Sequence, residues 1–243
     1  MHMNTFKFHR NRLQLGITLV EVLVGLAVGL FVVAGGLAML ANFTGENRRL
    51  LLETRLMQDL RAASDIITRD IRRAGYWSTA STGVWVAGGP DVPPQNAYRG
   101  IISAACDAAT LPAAIATPAN GTALNELCYY IESSADNTVS VAERYGFKRA
   151  SGVLYATIAG AAAQPLTDPN TIVISNFVVT ATPQIIDATG FCTKTCTVNC
   201  PQVVIREFEV LLKGNVPGDA VTFRTLRSNV RVRNDSYQGS CPT

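Results

Sequence analysis

An apolar segment of 27 residues, at positions 17–43, constrains this chain more than any other feature. Its only ionisable side chain is Glu21, the fifth residue of the segment. The hydrocarbon core of a bilayer is about 30 Å thick and needs roughly 20 apolar residues in a helix, so the segment is long enough to span a membrane. It is too long for a cleavable signal peptide, whose apolar region is about 7 to 15 residues. The sequence therefore predicts a membrane-spanning helix that carries one anomalous acid.

The acid in this segment needs a positively charged partner. A carboxylate within a spanning helix costs about 2.5 to 3.5 kcal/mol on insertion scales, so a partner charge is the expected explanation for Glu21. If the chain were cut after Gly16, Ile17 would carry a free α-amino group about one helical turn before Glu21. The amine of a neighbouring copy could then pair with this acid in a bundle of helices. We therefore predict processing after Gly16 and an assembly role for Glu21.

Residues 16–21, Gly-Ile-Thr-Leu-Val-Glu, resemble the peptidase site of type IV pilins and type II secretion pseudopilins. Those proteins usually have Phe and Ile where this chain has Ile17 and Val20. The resemblance implies cleavage after Gly16 by a prepilin peptidase, N-methylation of Ile17, and use of Glu21 in assembling subunits into a filament. It also implies the pilin fold, an α+β fold in which a long N-terminal helix packs on an antiparallel β-sheet.

The excess positive charge of the chain lies before the apolar segment. Lys7, Arg10 and Arg12 are the only charged residues of the leader at 1–16, and they account for the whole net charge of +3. By the positive-inside rule the leader lies in the cytoplasm and the chain beyond about residue 45 lies in the periplasm. We therefore expect a single-pass inner-membrane protein that later reaches the pilus tip or fibre at the cell surface. A near-neutral exported part is not typical of proteins that bind nucleic acid.

Both histidines of the chain, His2 and His9, lie in the leader. The processed chain would have no histidine, which excludes Ser-His-Asp and Cys-His catalysis and histidine metal sites from its exported part. The sequence also has no Gly-rich phosphate loop and no nucleophile elbow. It therefore predicts neither enzyme activity nor a cofactor, and a membrane-anchored enzyme or binding domain is the least favoured alternative.

Cysteines occur only beyond the apolar segment, and an even number in an exported domain predicts disulfides. The six candidates are Cys106, Cys128, Cys192, Cys196, Cys200 and Cys241. The preferred pairing joins Cys106 to Cys128 and ties Cys241 to one member of the cluster at 192–200. Six cysteines allow 15 pairings, and a zinc site formed by that cluster is the alternative.

Residues 44–75 predict an amphipathic continuation of the helix. Apolar residues recur at steps of three and four: Leu52, Leu56, Leu60, Ala63, Ile67, Ile71 and Ala74. Charged side chains fill the opposite face, and Gly75 is expected at the C-terminal cap. Because residues 1–89 contain no proline, one helix can run from about residue 17 to about residue 74.

Gly35 and Gly36 are the weakest point of this predicted helix, because each glycine costs about 1 kcal/mol relative to alanine. Two explanations stay open. The pair could let the helix bend or melt when the subunit leaves the bilayer. It could instead allow close packing of helices, which the spacing of Gly25 and Gly29 also favours.

Residues 76–243 predict a β-rich globular domain with disulfides. Strands are expected at 84–86, 127–132, 138–147, 153–158, 171–182, 202–212 and 220–233. Hairpin turns are expected around Ser151-Gly152 and at residues 214–218, and a long irregular excursion at residues 103–125. The predicted order along the chain is a leader at 1–16, a span at 17–43, an amphipathic helix at 44–75 and this domain. A helix followed by antiparallel strands predicts an α+β fold in which the helix packs on a sheet.

A narrower resemblance is to minor pilins of the PilW type, through residues 70–77 (Asp-Ile-Arg-Arg-Ala-Gly-Tyr-Trp) and residues 230–234. It implies a structural subunit in the initiation and tip assembly of a type IV pilus. The implied partners are other minor pilins, the major pilin, a tip adhesin, the inner-membrane assembly platform, and the lipid bilayer before assembly. The J-type pseudopilin of type II secretion shares the same front end and is the alternative.

Basic residues near the C terminus give a third alternative, contact with DNA. They are Arg224, Arg227, Arg231 and Arg233. Alternation along a strand with one solvated face explains these arginines as well, and this explanation is favoured.

Overall fold

A computed structural model describes residues 16–83, 95–102, 106, 118–219 and 222–242. The chain forms two compact units, Met1–Leu51 and Leu52–Thr243, and one helix, α1 (Leu19–Arg73), belongs to both. The strand predicted at residues 84–86 lies outside the described residues, as does most of the excursion predicted at 103–125. The finer division at residues 16, 43 and 75 stays a prediction.

The first part of α1 is exposed along its whole length. Every residue from Gly16 to Leu51 is exposed, including large apolar side chains such as Leu30 and Phe31. The helix continues without a break through Gly35 and Gly36. An apolar helix that buries nothing within its own chain must be covered by lipid or by other helices.

The second part of α1 buries one face against the β-strands of the second unit. Its buried apolar residues are Leu56, Leu60, Ala63, Ile67 and Ile71, which are five members of the predicted stripe. Gly75 follows the helix with φ +69°, and its N–H donates to the carbonyl of Tyr130 at 2.8 Å. A left-handed glycine at this point ends the helix, so the stripe and the cap were both predicted correctly.

Twelve strands are found among the described residues. The first six are β1 (Ile101–Ile102), β2 (Ala123–Leu124), β3 (Glu126–Tyr130), β4 (Arg144–Ala150), β5 (Val153–Thr157) and β6 (Gln164–Pro165). The others are β7 (Val173–Ala181), β8 (Gln184–Asp187), β9 (Gln202–Ile205), β10 (Glu207–Asn215), β11 (Phe223–Arg231) and β12 (Ser236–Gln238). Short 3-10 helices lie at Ala80–Gly83, Val141–Glu143 and Thr189–Phe191.

These strands form three sheets whose strand pairs are antiparallel. Their orders are β1-β3-β4-β5-β6, β11-β10-β7-β2 and β12-β9-β8. The predicted central strand β7 lies between β10 and β2, and the predicted hairpin between β4 and β5 turns at Ser151 and Gly152. Both turn residues have positive φ, +49° and +78°, as a two-residue hairpin of this kind requires. The predicted α+β arrangement, a long helix packed on antiparallel sheets, is confirmed.

One apolar core joins α1 to two of the sheets. Phe208, Val210 and Leu212 of β10 alternate inward and pack in the same cluster as Leu60 and Ile67 of the helix. Burying one such side chain contributes about 1.5 to 3 kcal/mol, so this contact is the main reason the helix lies where it does. Polar contacts fix its register on β11. The guanidinium of Arg224 donates to the carboxylate of Glu53 at 2.5 Å, and the hydroxyls of Ser64 and Ser228 lie 2.7 Å apart.

The structure corrects two strand predictions. The strand predicted at 202–212 is two strands, because Arg206 interrupts it and the chain passes from the sheet of β9 to the sheet of β10. The strand predicted at 138–147 begins only at Arg144. Before it, Val141–Glu143 form a 3-10 helix, and the N–H and hydroxyl of Ser140 donate hydrogen bonds to the carboxylate of Glu143.

Candidate processing and assembly site

The predicted cleavage point lies in an exposed, non-helical stretch that precedes α1. Residues 16–18 have no helical structure, and Ile17 is 75% exposed. Apart from Gly16 and its two chain neighbours, no heavy atom of the described residues lies within 4 Å of the position that a Cβ on Gly16 would occupy. Proteolysis favours exposed peptide bonds outside regular secondary structure, and the bond between Gly16 and Ile17 is exposed and non-helical.

Thr18 caps the helix and places Glu21 in its first turn. The backbone N–H of Glu21 donates to the Thr18 hydroxyl at 3.3 Å, and the N–H of Val22 donates to the Thr18 carbonyl at 3.2 Å. Thr18 is therefore the N-cap and Glu21 the third helical residue, which is the spacing of a capping box. An acid at this position also interacts favourably with the helix dipole. This role was not predicted, although Thr-x-x-Glu before an apolar run is a sequence signal for it.

The carboxylate of Glu21 has no basic partner among the described residues of its own chain. The nearest basic residues along the described helix are Arg48 and Arg49, about seven helical turns away. A positive charge that pairs with the Glu21 carboxylate must therefore come from outside this helix or from a new N-terminal amine at Ile17. The roles of Gly16, Ile17 and Glu21 in processing and assembly stay predictions.

The helix that follows this site fits a single-pass membrane anchor. An 18-residue stretch of α1 has a mean hydropathy of 2.5, and none of it is buried. The core helix of a soluble protein would be mostly buried. By length and composition α1 can cross a bilayer, as the sequence predicted.

Three disulfides hold the second unit. The structure pairs Cys106 with Cys128, which is the expected bond, and Cys192 with Cys241, which ties the C terminus to the cysteine cluster as expected. The third bond joins Cys196 to Cys200. The alternative zinc site needs the cluster as free thiolates, whereas the structure places all three of its cysteines in disulfides.

A buried carboxylate that the sequence did not reveal organises the loop after β3. Glu143 is 1% exposed and accepts hydrogen bonds from the N–H groups of Ser133, Ser134 and Ser140 and from the hydroxyl of Tyr98. Burial raises the pKa of this carboxyl, but the hydrogen bonds outweigh burial and lower the pKa to about 2. Glu143 is therefore charged at neutral pH and stabilises the loop in that form.

A second buried acid, Glu132, holds the chain after α1. It accepts hydrogen bonds from the N–H and hydroxyl of Ser78 and from the N–H of Asn137. Burial raises the pKa of Glu132, and the hydrogen bonds more than offset this, so the pKa lies below its ordinary value. Both acids have structural partners and neither has the open surroundings of a catalytic group.

Arg206, the largest fully buried residue among those described, joins three segments that are distant in sequence. Its guanidinium donates to the backbone carbonyls of Arg99 and Asn234. Burial lowers the pKa of Arg206 to about 10. A Cβ on Gly75 would lie 2.8 Å from the Nη2 atom of Arg206, so glycine is needed there for this contact as well as for its positive φ.

The arginines considered for DNA contact are mostly paired within the chain. Arg224 pairs with Glu53, Arg227 with Glu209 at 2.5 Å, and Arg231 with Asp235 at 2.9 Å. Three carboxylates therefore balance three of these charges. This arrangement agrees with the solvated-face explanation of the alternating arginines.

Comparison with known protein families matches this chain to one family. The family described as prepilin peptidase-dependent protein B matches residues 49–232, which is more than half of the chain. The match begins after the cleavage motif, so it is independent of residues 16–21. No curated protein and no solved structure gives a significant match. On the match to its residues 49–232, the chain belongs to the prepilin peptidase-dependent protein B family and is a pilin-like protein.

Proposed function

We propose that this protein is a minor pilin of the PilW type, a structural subunit that takes part in the initiation and tip assembly of a type IV pilus. The observation that carries the proposal is the exposed Gly16-Ile17 bond at the start of α1. It is followed by a wholly exposed apolar helix, and that helix continues into a disulfide-bonded domain. Membership of a prepilin peptidase-dependent family supports it.

In the proposed mechanism, prepilin peptidase cuts after Gly16 and the new amine of Ile17 is methylated. The amine of one subunit then pairs with Glu21 of its neighbour while the apolar helices leave the bilayer together. Among apolar helices an unpaired charge is costly. Removing one partner of a buried ion pair destabilises a protein by about 3 to 5 kcal/mol. This cost would favour the helix register in which the Ile17 amine of one subunit meets the Glu21 carboxylate of its neighbour.

The globular domain supplies the contacts that distinguish one subunit from another. In the proposal its loops bind other minor pilins, the major pilin and a tip adhesin, and the helix engages the inner-membrane assembly platform. The domain lies in the periplasm before assembly, with the N terminus in the cytoplasm, and at the pilus tip or in the fibre afterwards. We assign it no catalytic role and no cofactor.

Deletion of the gene in its native host, followed by complementation, tests this proposal. We expect loss of surface pili and of twitching, with type II secretion unchanged. The intact gene should restore piliation and a Gly16→Ala variant should not. Normal piliation with blocked type II secretion would contradict the proposal and favour the J-type pseudopilin.

A further inference from the structure

A small polar cleft lies within the second unit. Its volume is about 280 Å³, and three stretches of chain line it, within residues 77–83, 95–99 and 233–237. Pockets for drug-sized ligands occupy about 300 to 1,000 Å³, so this cleft suits a small group rather than a large molecule. Its lining residues do not include the processing and assembly residues, and the proposed function leaves it unused.

Among the described residues that line the cleft, two carry a positive charge and one a negative charge. Arg99 and Arg233 line it, and neither forms an ion pair with another described residue. Buried Arg206 contacts the backbone carbonyls of two lining residues, Arg99 and Asn234, which adds a third guanidinium beside it. Asp235 also lines the cleft, but its carboxylate accepts a hydrogen bond from Arg231 at 2.9 Å. Within the part of the chain that the structure describes, the charges at this site without an opposite partner are therefore positive.

Two polar atoms in the cleft wall lack a hydrogen-bond partner among the described residues. They are the indole Nε1 of Trp77, a residue 7% exposed, and the hydroxyl of Ser236, a residue 6% exposed. Burying such a group without a partner costs about 1 to 3 kcal/mol, and native proteins contain few of them. Both groups can donate a hydrogen bond, so an acceptor that reached them would remove this cost.

Two side-chain amides in the cleft wall are already hydrogen-bonded to the backbone. Fewer polar groups therefore remain for a ligand. The side-chain amides of Asn96 and Asn234 both donate to the carbonyl of Gly75, at 2.8 and 3.0 Å. The backbone around the cleft is thereby fixed to the end of α1. The other side-chain donors that line the cleft belong to Gln95, Arg99, Arg233 and Tyr237, and the guanidinium of Arg99 already donates one hydrogen bond to the carbonyl of Asn96 at 3.3 Å.

We infer that this cleft binds an oxyanion, a carboxylate or a phosphate, through the guanidinium groups of Arg99 and Arg233. Trp77 and Ser236 line the same cleft, and each carries a buried donor atom without a partner among the described residues. Guanidinium groups bind both anions through paired, charge-assisted hydrogen bonds. The ligand is either a small free anion or the carboxylate that ends a peptide chain, since both present the same atoms.

The test uses the full-length protein in nanodiscs of zwitterionic lipid, titrated with inorganic phosphate, with acetate, and with a short peptide. The peptide is supplied with a free C-terminal carboxylate and, separately, as its amide. Binding is measured by calorimetry and by the indole N–H resonance of Trp77, assigned with a Trp85→Phe variant. We expect saturable binding that weakens as salt is raised, with a shift of the Trp77 resonance.

The variant Arg99→Gln/Arg233→Gln should weaken binding at least tenfold, because it removes both charged donors. The matched control, Arg69→Gln/Arg149→Gln, removes the same charge from exposed positions outside the cleft and should bind as wild type does. Binding of phosphate or acetate assigns a small free anion. Binding confined to the peptide with a free carboxylate assigns a chain end. No saturable binding of any probe, equal weakening by both double variants, or binding that leaves the Trp77 resonance unmoved overturns the inference.

Discussion

The backbone N–H of Glu21 donates to the hydroxyl of Thr18 at 3.3 Å, so the acid predicted to direct assembly also stands in the capping turn of α1. Two roles for this acid can therefore be separated. One is local stabilisation of the helix start, in which the observed cap is the Thr18 hydroxyl and glutamine fits the capping-box position at residue 21 as well as glutamate does. The other is pairing with an amine, which needs a negative charge.

Glu21→Gln should keep the helix start and lose assembly. Glutamine serves as well as glutamate at the third position of a capping box, but it carries no charge. We expect normal membrane insertion and strongly reduced incorporation into filaments, measured by immunoblotting of sheared pili against the membrane fraction. The matched control is Thr18→Ala, which removes a cap that contributes about 1 kcal/mol and keeps the charge. Wild-type assembly of the Gln variant would show that amine pairing is not needed.

Acid should weaken the second unit through Glu143. Its pKa is depressed from 4.5 to about 2 on folding, so its contribution is present above about pH 4.5 and is lost as the pH falls towards 2. The depression corresponds to about 3 kcal/mol at neutral pH. Glu143→Gln should therefore lower the unfolding free energy at pH 7 and flatten its dependence on pH between 5 and 2.

Thermal or denaturant unfolding at a series of pH values measures this effect. Glu209→Gln is the control, because Glu209 lies in an exposed ion pair with Arg227, and such pairs contribute about 0.2 to 1 kcal/mol. It should retain the wild-type pH dependence. An identical pH profile for Glu143→Gln and wild type would contradict the role assigned to the buried carboxylate.

Arg206→Met should destabilise the protein. Methionine retains an unbranched apolar chain like the methylene part of arginine but has no guanidinium. The carbonyls of Arg99 and Asn234 therefore lose their donor. Each hydrogen bond to a charged group contributes about 1.5 to 3 kcal/mol, so we expect a loss of at least about 3 kcal/mol in unfolding free energy. Arg149→Met, at an exposed position of β4, should change it by less than about 0.5 kcal/mol. An unchanged or raised melting temperature for Arg206→Met would mean that burying the charge costs more than its hydrogen bonds return.

The two disulfides near the C terminus should differ in their contribution to stability. Cys192 and Cys241 are separated by 49 residues, whereas Cys196 and Cys200 are separated by 4. Loop-closure entropy predicts about 4 kcal/mol for the longer loop and about 2 kcal/mol for the shorter one. Replacing each pair by serines and comparing melting temperatures measures the difference. A larger loss from the Cys196–Cys200 pair would contradict this order.

The long helix and its buried face could be predicted because their signal is local. Leu56, Leu60 and Ile67 recur at helical spacing, and the period alone fixes which side is buried. The motif at residues 16–21 is equally local. Strand β8 gave no such signal, since Ile185 and Ile186 are adjacent and both exposed, so the two-residue alternation of a strand is missing.

The groups that the sequence did not reveal are polar residues whose burial depends on distant partners. In the sequence Glu143 looks like an ordinary surface acid. In the fold it is buried and accepts a hydrogen bond from Tyr98, which is 45 residues away. Arg206 interrupts an apolar run, yet nothing near it in sequence shows that it reaches the carbonyl of Asn234. The cleft likewise assembles from Trp77, Arg99 and positions near the C terminus, which only the folded chain brings together.

Mass spectrometry of the N terminus of the protein, isolated from membranes and pili of its native host, tests the account most directly. We predict a chain that begins with N-methylated Ile17, and an uncut leader in cells without the peptidase or in the Gly16→Ala variant. A mature protein that begins at Met1, or that has lost residues 17–43 during export, would contradict the account.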